Sequence, residues 1–394
     1  MNGAPSYWFE AVPDEKKFPS LAEDQSCDIV VIGGGIAGLS SAYHLSKAGM
    51  RVVLLEMGTI GTGDSGYTTA FTTHFLDSID ATAKAWNAST AAIYLFKEII
   101  KREQIECEWE DTGCVIFTQK DAIEEFRRTY DMHRAIDSSL DFFEGGDAAR
   151  LLGYSAKAMF QKKSGEGQFH IRKFLRGLAD AVIKNGVKIF EETEVLGVKT
   201  SSTSPDLSGP SIEIQTEKSI VRADYCVMAG GSTPGRLFPK VSSMLTGTID
   251  YVIHASYSGG QSPFPRGLYL DDADPYHYFR YVNETDIILG GETKLMSAPS
   301  QVKNQHERLE VYLKKLSPGS QCTVKNKWQG GIYATLDFLP YIGPHPEYGD
   351  RIIFATGWTG NGTTQGLLSG QIIRDLVQKK RNEFQDIYSF KRHL

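Results

Sequence analysis

The chain has 394 residues, 41% hydrophobic and 23% charged, which suits a soluble globular protein with about two or three domains and a large core. A net charge of −6 without a basic block argues against a nucleic-acid partner, and no apolar run approaches the ~18 residues of a transmembrane helix. The N-terminal stretch has no basic n-region followed by an apolar h-region, so it does not read as a secretory signal; the five cysteines, an odd number without zinc spacing, read as thiols in a reducing cytoplasm rather than as a disulfide or metal framework.

Residues 1–25 are polar with scattered aromatics, and Pro13 and Pro19 interrupt any regular element. Ser6-Tyr7-Trp8 is expected to pack an extended arm onto the body; a disordered leader is the alternative.

Asp28 to Glu56 is the most informative stretch. Ile29–Ile32 is a short apolar, β-branched run, as in a strand covered on both faces. Gly33, Gly35 and Gly38 then give G-x-G-x-x-G, followed by an apolar helical pattern that stops at Gly49. Arg51–Leu55 reads as a second strand, ending on Glu56, 18 residues past Gly38. Gly33 allows the tight turn, Gly35 the approach of a pyrophosphate, and Gly38 close helix–strand packing. The helix N-terminus receives the phosphate charge, and Glu56 can accept from a ribose diol. An acidic residue there disfavours a 2′-phosphate and hence NADP. The competing reading is a glycine-rich packing turn without a ligand.

Ile60–Phe75 carries Gly61, Gly63 and Gly66 with Asp64, Ser65, Thr68 and Thr69, a loop able to wrap a phosphate or a flavin edge, or to serve as a plain capped turn. Helices are expected over Ala81–Arg102, with Ile93, Phe96, Ile99 and Ile100 on one face, over Asp121–Leu140, and over Ile171–Asn185 up to Gly186. Gly113–Phe117 reads as a strand, Val187–Val195 as strand, turn, strand, and Ser201–Pro210 as a surface loop. Ile212, Ile214 and Ile220 alternate like hairpin strands leading into Ala223–Gly231, a buried strand that ends in small residues.

From Thr246 to Gly291 strand-like, aromatic-rich pieces follow one another without βα alternation, so an antiparallel sheet in a separate substrate domain is expected, with Gln305–Leu316 as its helix. Trp328–Gly343 then leads to a buried strand, Arg351–Thr356, a glycine–threonine turn, Gly357–Gly366, and a helix, Leu367–Val377. This second strand–turn–helix unit is one that NAD folds do not need.

Three motifs, DIVVIGGGIAGLSSA with Glu56, ADYCVMAGG, and TLDFLPYIG with ATGWTGNGTTQG, together resemble the D-amino acid oxidase-like (DAO) FAD-dependent oxidoreductases over nearly the whole chain. The N-terminal arm and the GTGDSGYTTA loop look most like the γ-glutamylputrescine oxidase and glycine–sarcosine oxidase branch, and relatives with an added Rieske domain; no Rieske ligand pattern is present here. The resemblance implies an α/β fold with an α+β second domain. Residues 1–90, 150–245 and 328–394 would form a Rossmann-like FAD-binding domain of glutathione-reductase type. Residues 91–149 and 246–327 would form the antiparallel-sheet substrate domain. It implies FAD held by Gly33, Gly35, Ile36, Ala37, Gly38 and Glu56, with Val195 near the adenine and Gly230 at the strand end. Gly63, Ser65, Thr68, Thr69 and Ala70 would line the pyrophosphate and flavin, and Gly360, Asn361, Gly362 and Thr363 the flavin N1–C2=O edge. A helix N-terminus there stabilises the negative charge of reduced flavin. No metal is expected.

Departures from the family pattern narrow the chemistry. Ile332 stands where glycine oxidase has a carboxylate-binding arginine, and burying a carboxylate without a cation is costly. Gly331 and Tyr67 stand where relatives attach FAD through cysteine or histidine, so FAD is expected to be non-covalent. Ile288 replaces an oxygen-activating lysine. The catalytic candidates are His74, which could face the flavin or be a packed or surface histidine; Tyr278; Arg280, which could pair with a remote carboxylate or form a structural ion pair; and Tyr333, which could shape the pocket or pack in the core. His277 would point to the opposite strand face from Tyr278, and Asp337 would orient its turn. The implied reaction oxidises the C–N bond of an amine or N-substituted amino acid by hydride transfer to flavin N5, giving an imine that hydrolyses, with hydrogen peroxide if O2 is the acceptor. The alternatives are a dehydrogenase that passes electrons to a quinone or partner protein, and a non-catalytic flavin-binding assembly factor.

Overall fold

Ile29–Ile32 is buried on both faces, so its strand must lie inside a sheet covered on two sides. In the computed structural model, which describes residues 5–12, 17–75, 83–200, 212–231, 234–258, 264–298, 304–317 and 321–393, this strand, Gln25–Ile32, is flanked in parallel by Val52–Leu55 and Ile220–Met228. The sheet runs Tyr341–Pro344, Ile352–Thr356, Ile220–Met228, Gln25–Ile32, Val52–Leu55, Lys188–Phe190, with Ile212–Thr216 and Val195–Thr200 added at the side. Ile29 and Val31 pack under the helices Ile36–Lys47, Ile171–Lys184 and Gly362–Val377, whereas Val30 and Ile32 meet Val195, Ile214, Phe238 and Phe354 on the other face.

The second sheet runs Gln321–Ala334, Thr246–Ser258, Asp286–Leu295, His277–Tyr281, Leu268–Asp271, Glu110–Thr118, Ala158–Gln168, Phe71–Thr72, with Asp141–Glu144 on Ala158–Gln168. It is antiparallel except where Leu268–Asp271 meets Glu110–Thr118 in parallel. Ile253, Ala255, Phe279 and Leu289 face outward under Leu309, Leu313 and Leu316 of the helix Gln305–Leu316. Strand alternation therefore turns Asp250, Val252 and Tyr278 inward, toward the first sheet.

Several boundaries differ from the expectations. Ser6-Tyr7-Trp8 does pack on the body, but as the start of a short helix, Tyr7–Ala11, not as an extended arm; Trp8 is buried and its Nε1 donates to the Thr68 carbonyl at 2.7 Å. The charged helix ends at Ile136, and Leu140 precedes a strand. The last long helix begins at Gly362 rather than Leu367, because the glycine–threonine turn is itself its first turn. Strand pairing also divides the chain differently: Ala158–Gln168 and Gln321–Ala334 lie in the second sheet, although 150–245 and 328–394 were expected in the cofactor domain. Main-chain ladders, which composition does not reveal, decide this. Pro13, the Ser201–Pro210 loop and the first residues of the Ala81–Arg102 helix lie outside the described residues.

Candidate functional site

Where the first strand ends, Gly33 adopts φ +110°, and a Cβ there would lie 2.5 Å from the Ala229 carbonyl oxygen. A Cβ on Gly38 would lie 1.9 Å from the Gly33 carbonyl oxygen, so helix and strand close to a distance only glycine permits. The helix Ile36–Lys47 starts from Gly35 with no side-chain cap, and the Ser65 Oγ accepts from the Ile36 N–H at 3.1 Å. Ser65 thus occupies the Ile36 N–H, while the N-terminal turn of the helix, with Gly35, Ile36 and Ala37, lines the cavity. Glu56 is held by two backbone donors: Gly34 N–H to Oε2 at 2.6 Å and Gly58 N–H to Oε1 at 2.7 Å. Burial outweighs these bonds and holds its carboxyl above the ordinary value.

These groups open into one cavity of about 400 Å³. It runs from Glu56, Thr193 and Val195 past Gly33, Gly35, Ile36 and Ala37 to Gly230, then between the two sheets. Gly63, Ser65, Thr68 and Thr69 line its middle, with Gly360, Asn361, Gly362 and Thr363 opposite. The Thr68 and Thr363 hydroxyls meet at 3.3 Å, closing the loop onto the second helix mouth. That helix also lacks a side-chain cap at Asn361, so two helix N-termini converge on one cavity. Gly38 and Ala70, both expected to bind cofactor, do not line it. Gly38 is consumed by helix–strand packing, and Ala70 is buried at φ +57°, its N–H bonded to the Thr68 Oγ. Asp64 lines the cavity beside Gly231, and burial pushes its carboxyl up to about 6.

Of the catalytic candidates, Tyr278 and Tyr333 line the sheet end of the cavity, with Gly331, Ile332 and Trp358. His74 does not. Its ring Nδ1 lies 2.8 Å from Glu166 Oε1, its Nε2 3.0 Å from the Thr90 hydroxyl, and its ring lies against Trp86. The extended backbone turns Thr73 and Phe75 to the cavity and His74 away from it. Arg280 does not reach the cavity either. It shares the inward face with Tyr278 but lies two residues farther along, beyond the cavity's end, where Trp8 and Phe169 cover it. Its Nη2 donates to the Phe169 carbonyl at 3.0 Å, and burial pulls the guanidinium down to about 9. His277 points to the outer face, stacked on Tyr312 and bonded to Asp271 at 2.9 Å. Asp337 orients its turn, accepting from the Leu339 N–H at 3.2 Å and pairing with Arg392 at 2.7 Å.

The sequence reading missed Asp250. It lines the cavity, is 2% exposed, and accepts hydrogen bonds from Tyr278, Tyr276 and Thr293. An aspartate inside an apolar and aromatic strand was the available signal, because strands disfavour that residue unless something holds it. No lysine, arginine or histidine lines the cavity among the described residues; its charged lining is Glu56, Asp64, Glu194 and Asp250.

A family model described as FAD dependent oxidoreductase, DAO, matches residues 28–376. A Bacillus subtilis protein named for a Rieske 2Fe-2S iron-sulfur centre, YhfW, is 27% identical over 98% of this chain and 75% of its own length. Gamma-glutamylputrescine oxidoreductase of Escherichia coli is 26% identical over 96% of this chain and 90% of its own length. The glycine oxidase structure from Geobacillus kaustophilus superposes with a TM-score of 0.78 at 23% identity, over 94% of this chain and all of that one, a likeness of fold. The cavity fits the family's cofactor: an acid at its nucleotide end, a glycine turn at an uncapped helix, and a second uncapped helix at its far end. Matched over residues 28–376 and carrying that cavity between its two sheets, the chain belongs to the FAD dependent oxidoreductase (DAO) family.

Proposed function

We propose that this protein oxidises the C–N bond of an amine, or of an N-substituted amino acid whose acid group lies away from the reacting carbon, to an imine that hydrolyses. The observation that carries this is the absence of any cation among the described residues lining the cavity, with Ile332 at the position where the family resemblance puts a carboxylate-binding arginine. An α-carboxylate buried there would lack a partner, at a cost of several kcal/mol, on the order expected for an unpaired buried charge. The relatives named for glycine and γ-glutamylputrescine oxidation support an amine or amino acid as the donor class.

When bound, FAD supplies the hydride acceptor. The protein's part is to position and to exclude water. Gly35, Ile36 and Ala37 would hold the pyrophosphate, Glu56 the ribose, and Gly360–Thr363 the flavin edge. Tyr278, Tyr333 and Ile332 would shape the substrate end and orient the C–H bond to be broken. Gly331 and Tyr67, neither an attachment residue, line the cavity, and Cys322 packs with the outer core of the second sheet, which supports non-covalent FAD. Acid should therefore release the flavin from the denatured protein. Anaerobic addition of amines should bleach the visible flavin band; rapid bleaching by simple α-amino acids with none by amines would overturn the substrate assignment. An assembly factor without catalysis would hold FAD that no donor bleaches.

A second reading concerns the acceptor. Ile288 is fully buried in the core, where the resemblance puts an oxygen-activating lysine, and no lysine among the described residues lines the cavity. This favours a dehydrogenase that passes electrons to a quinone or partner protein. Slow return of the flavin band on admitting air supports that reading, and fast return with peroxide release rejects it.

A further inference from the structure

Asp250 lies in Thr246–Ser258 opposite Gly330, beside a bulge between Ile249 and Tyr251. Three hydroxyls from two other strand segments converge on it. Tyr278 donates to Oδ2 at 3.0 Å, Tyr276 to the same oxygen at 3.4 Å, and Thr293 to Oδ1 at 2.7 Å. The Tyr278 ring reaches Asp250 only because Gly290 lies beneath it: a Cβ there would come within 2.5 Å of the ring. The site is thus assembled around one carboxyl group, which burial holds above its ordinary range even against the three donors. Hydroxyl donors lower the cost of burying a carboxylate but do not cancel its charge. The other acidic lining groups, Glu56, Asp64 and Glu194, belong to the segments that line the nucleotide end and its loop, so Asp250 is the charged group of the sheet end among the described residues.

We infer that Asp250 is the receptor for a second, non-reacting ammonium group, so that the substrate class is a diamine or a longer polyamine-like chain. The inference rests on the amine reading above and specifies its substrate. The reacting nitrogen must be free base to yield hydride from its carbon, whereas a carboxylate stabilises a charged nitrogen. One carboxylate and one oxidised centre in the same cavity therefore call for two nitrogens in different protonation states. An alkylammonium, ordinarily protonated up to about pH 10, is the cation best matched to a carboxylate at neutral pH. The ligand would supply the countercharge that the protein withholds, and Tyr276, Tyr278 and Thr293 are positioning residues that hold the carboxylate for it.

The test uses the FAD-loaded enzyme, anaerobically, with α,ω-diaminoalkanes and n-alkylamines of matched length. The parent should reduce with a diamine-to-monoamine ratio of kcat/KM of about 10- to 100-fold, the range of one charge-assisted contact. Asp250→Asn, which keeps the side chain's shape, should bring that ratio to about one through KM rather than kcat, and Asp250→Glu should restore part of it. Thr293→Val removes a donor from outside the cavity lining and should lower the ratio by a smaller factor; it decides the matter if Asp250→Asn does not retain flavin. A parent ratio near one, or a ratio unmoved in the variant that folds, overturns the inference while leaving amine oxidation standing. Reduction by simple α-amino acids with neither amine active overturns the amine reading itself.

Discussion

Asp64 and Arg280 show how burial sets the behaviour of single residues. The Asp64 carboxyl is pushed up to about 6 in the fold from an ordinary 3.8. The folded state thus holds this proton more tightly than the unfolded chain, so apoprotein stability falls as pH rises from 3.8 to about 6 and stays at the lowered level above that. Asp64→Asn apoprotein should therefore melt above the parent at neutral pH, with the gap closing on acidification below 3.8; a pH-independent difference in melting temperature would refute this. Arg280, which its motif left open between a remote substrate carboxylate and a structural ion pair, is 3% exposed and lies beyond the cavity. Replacing a buried charge by a hydrophobe of similar volume is often neutral or stabilising. Arg280→Met should keep its melting temperature or raise it, with KM for the amine donor within about twofold of the parent. A large rise in KM would return Arg280 to the site.

At the scale of elements, the N-terminal helix controls the loop that lines the cavity. Ser6 Oγ donates to the Gly66 carbonyl at 2.7 Å and Trp8 Nε1 to the Thr68 carbonyl at 2.7 Å, while Phe9 packs on Tyr67. Five residues of helix are too short to be stable alone, so this one holds by tertiary contact, chiefly the buried Trp8. Trp8→Ala should cost about 3–5 kcal/mol, as for other buried aromatics, and should loosen Gly66–Thr68. Thermal melts and flavin retention on gel filtration measure the two effects; a destabilised variant that retains flavin as well as the parent would separate the helix from the loop.

Over the whole molecule, the cavity lies between two sheets, and each sheet contributes something the other lacks. The first sheet and its helices supply uncapped helix ends and Glu56; the second sheet supplies the Tyr278–Asp250 surface. A ligand that spans both sheets links their stabilities. FAD that binds only the folded state should raise stability by about 2.7 kcal/mol at a concentration of 100 times its Kd. Melting of stripped and reconstituted protein checks this: one transition that shifts upward with FAD is expected, and an unshifted melt would mean that the folded protein does not hold FAD.

The strand–glycine–helix–strand unit from Asp28 to Glu56 was legible in the sequence because its parts are near neighbours whose spacing is fixed by local geometry. The two departures at Gly331 and Ile332 were equally legible, and both positions do line the cavity. Asp250 was not, because its partners Tyr276, Tyr278 and Thr293 come from other segments, and strand pairing with the bulge beside Asp250 brings them together. Nor could the motif tell Tyr278 from Arg280: both share one strand face, and where the cavity ends along it is set by Trp8 and Phe169 arriving from elsewhere in the chain. Whether His74 faces the flavin or packs away from it was left open for a related reason, since alternation along Thr73–Phe75 depends on which neighbour faces the cavity. Local spacing thus determined the cofactor-binding turn, whereas the substrate surface is a product of long-range pairing that only the tertiary structure decided.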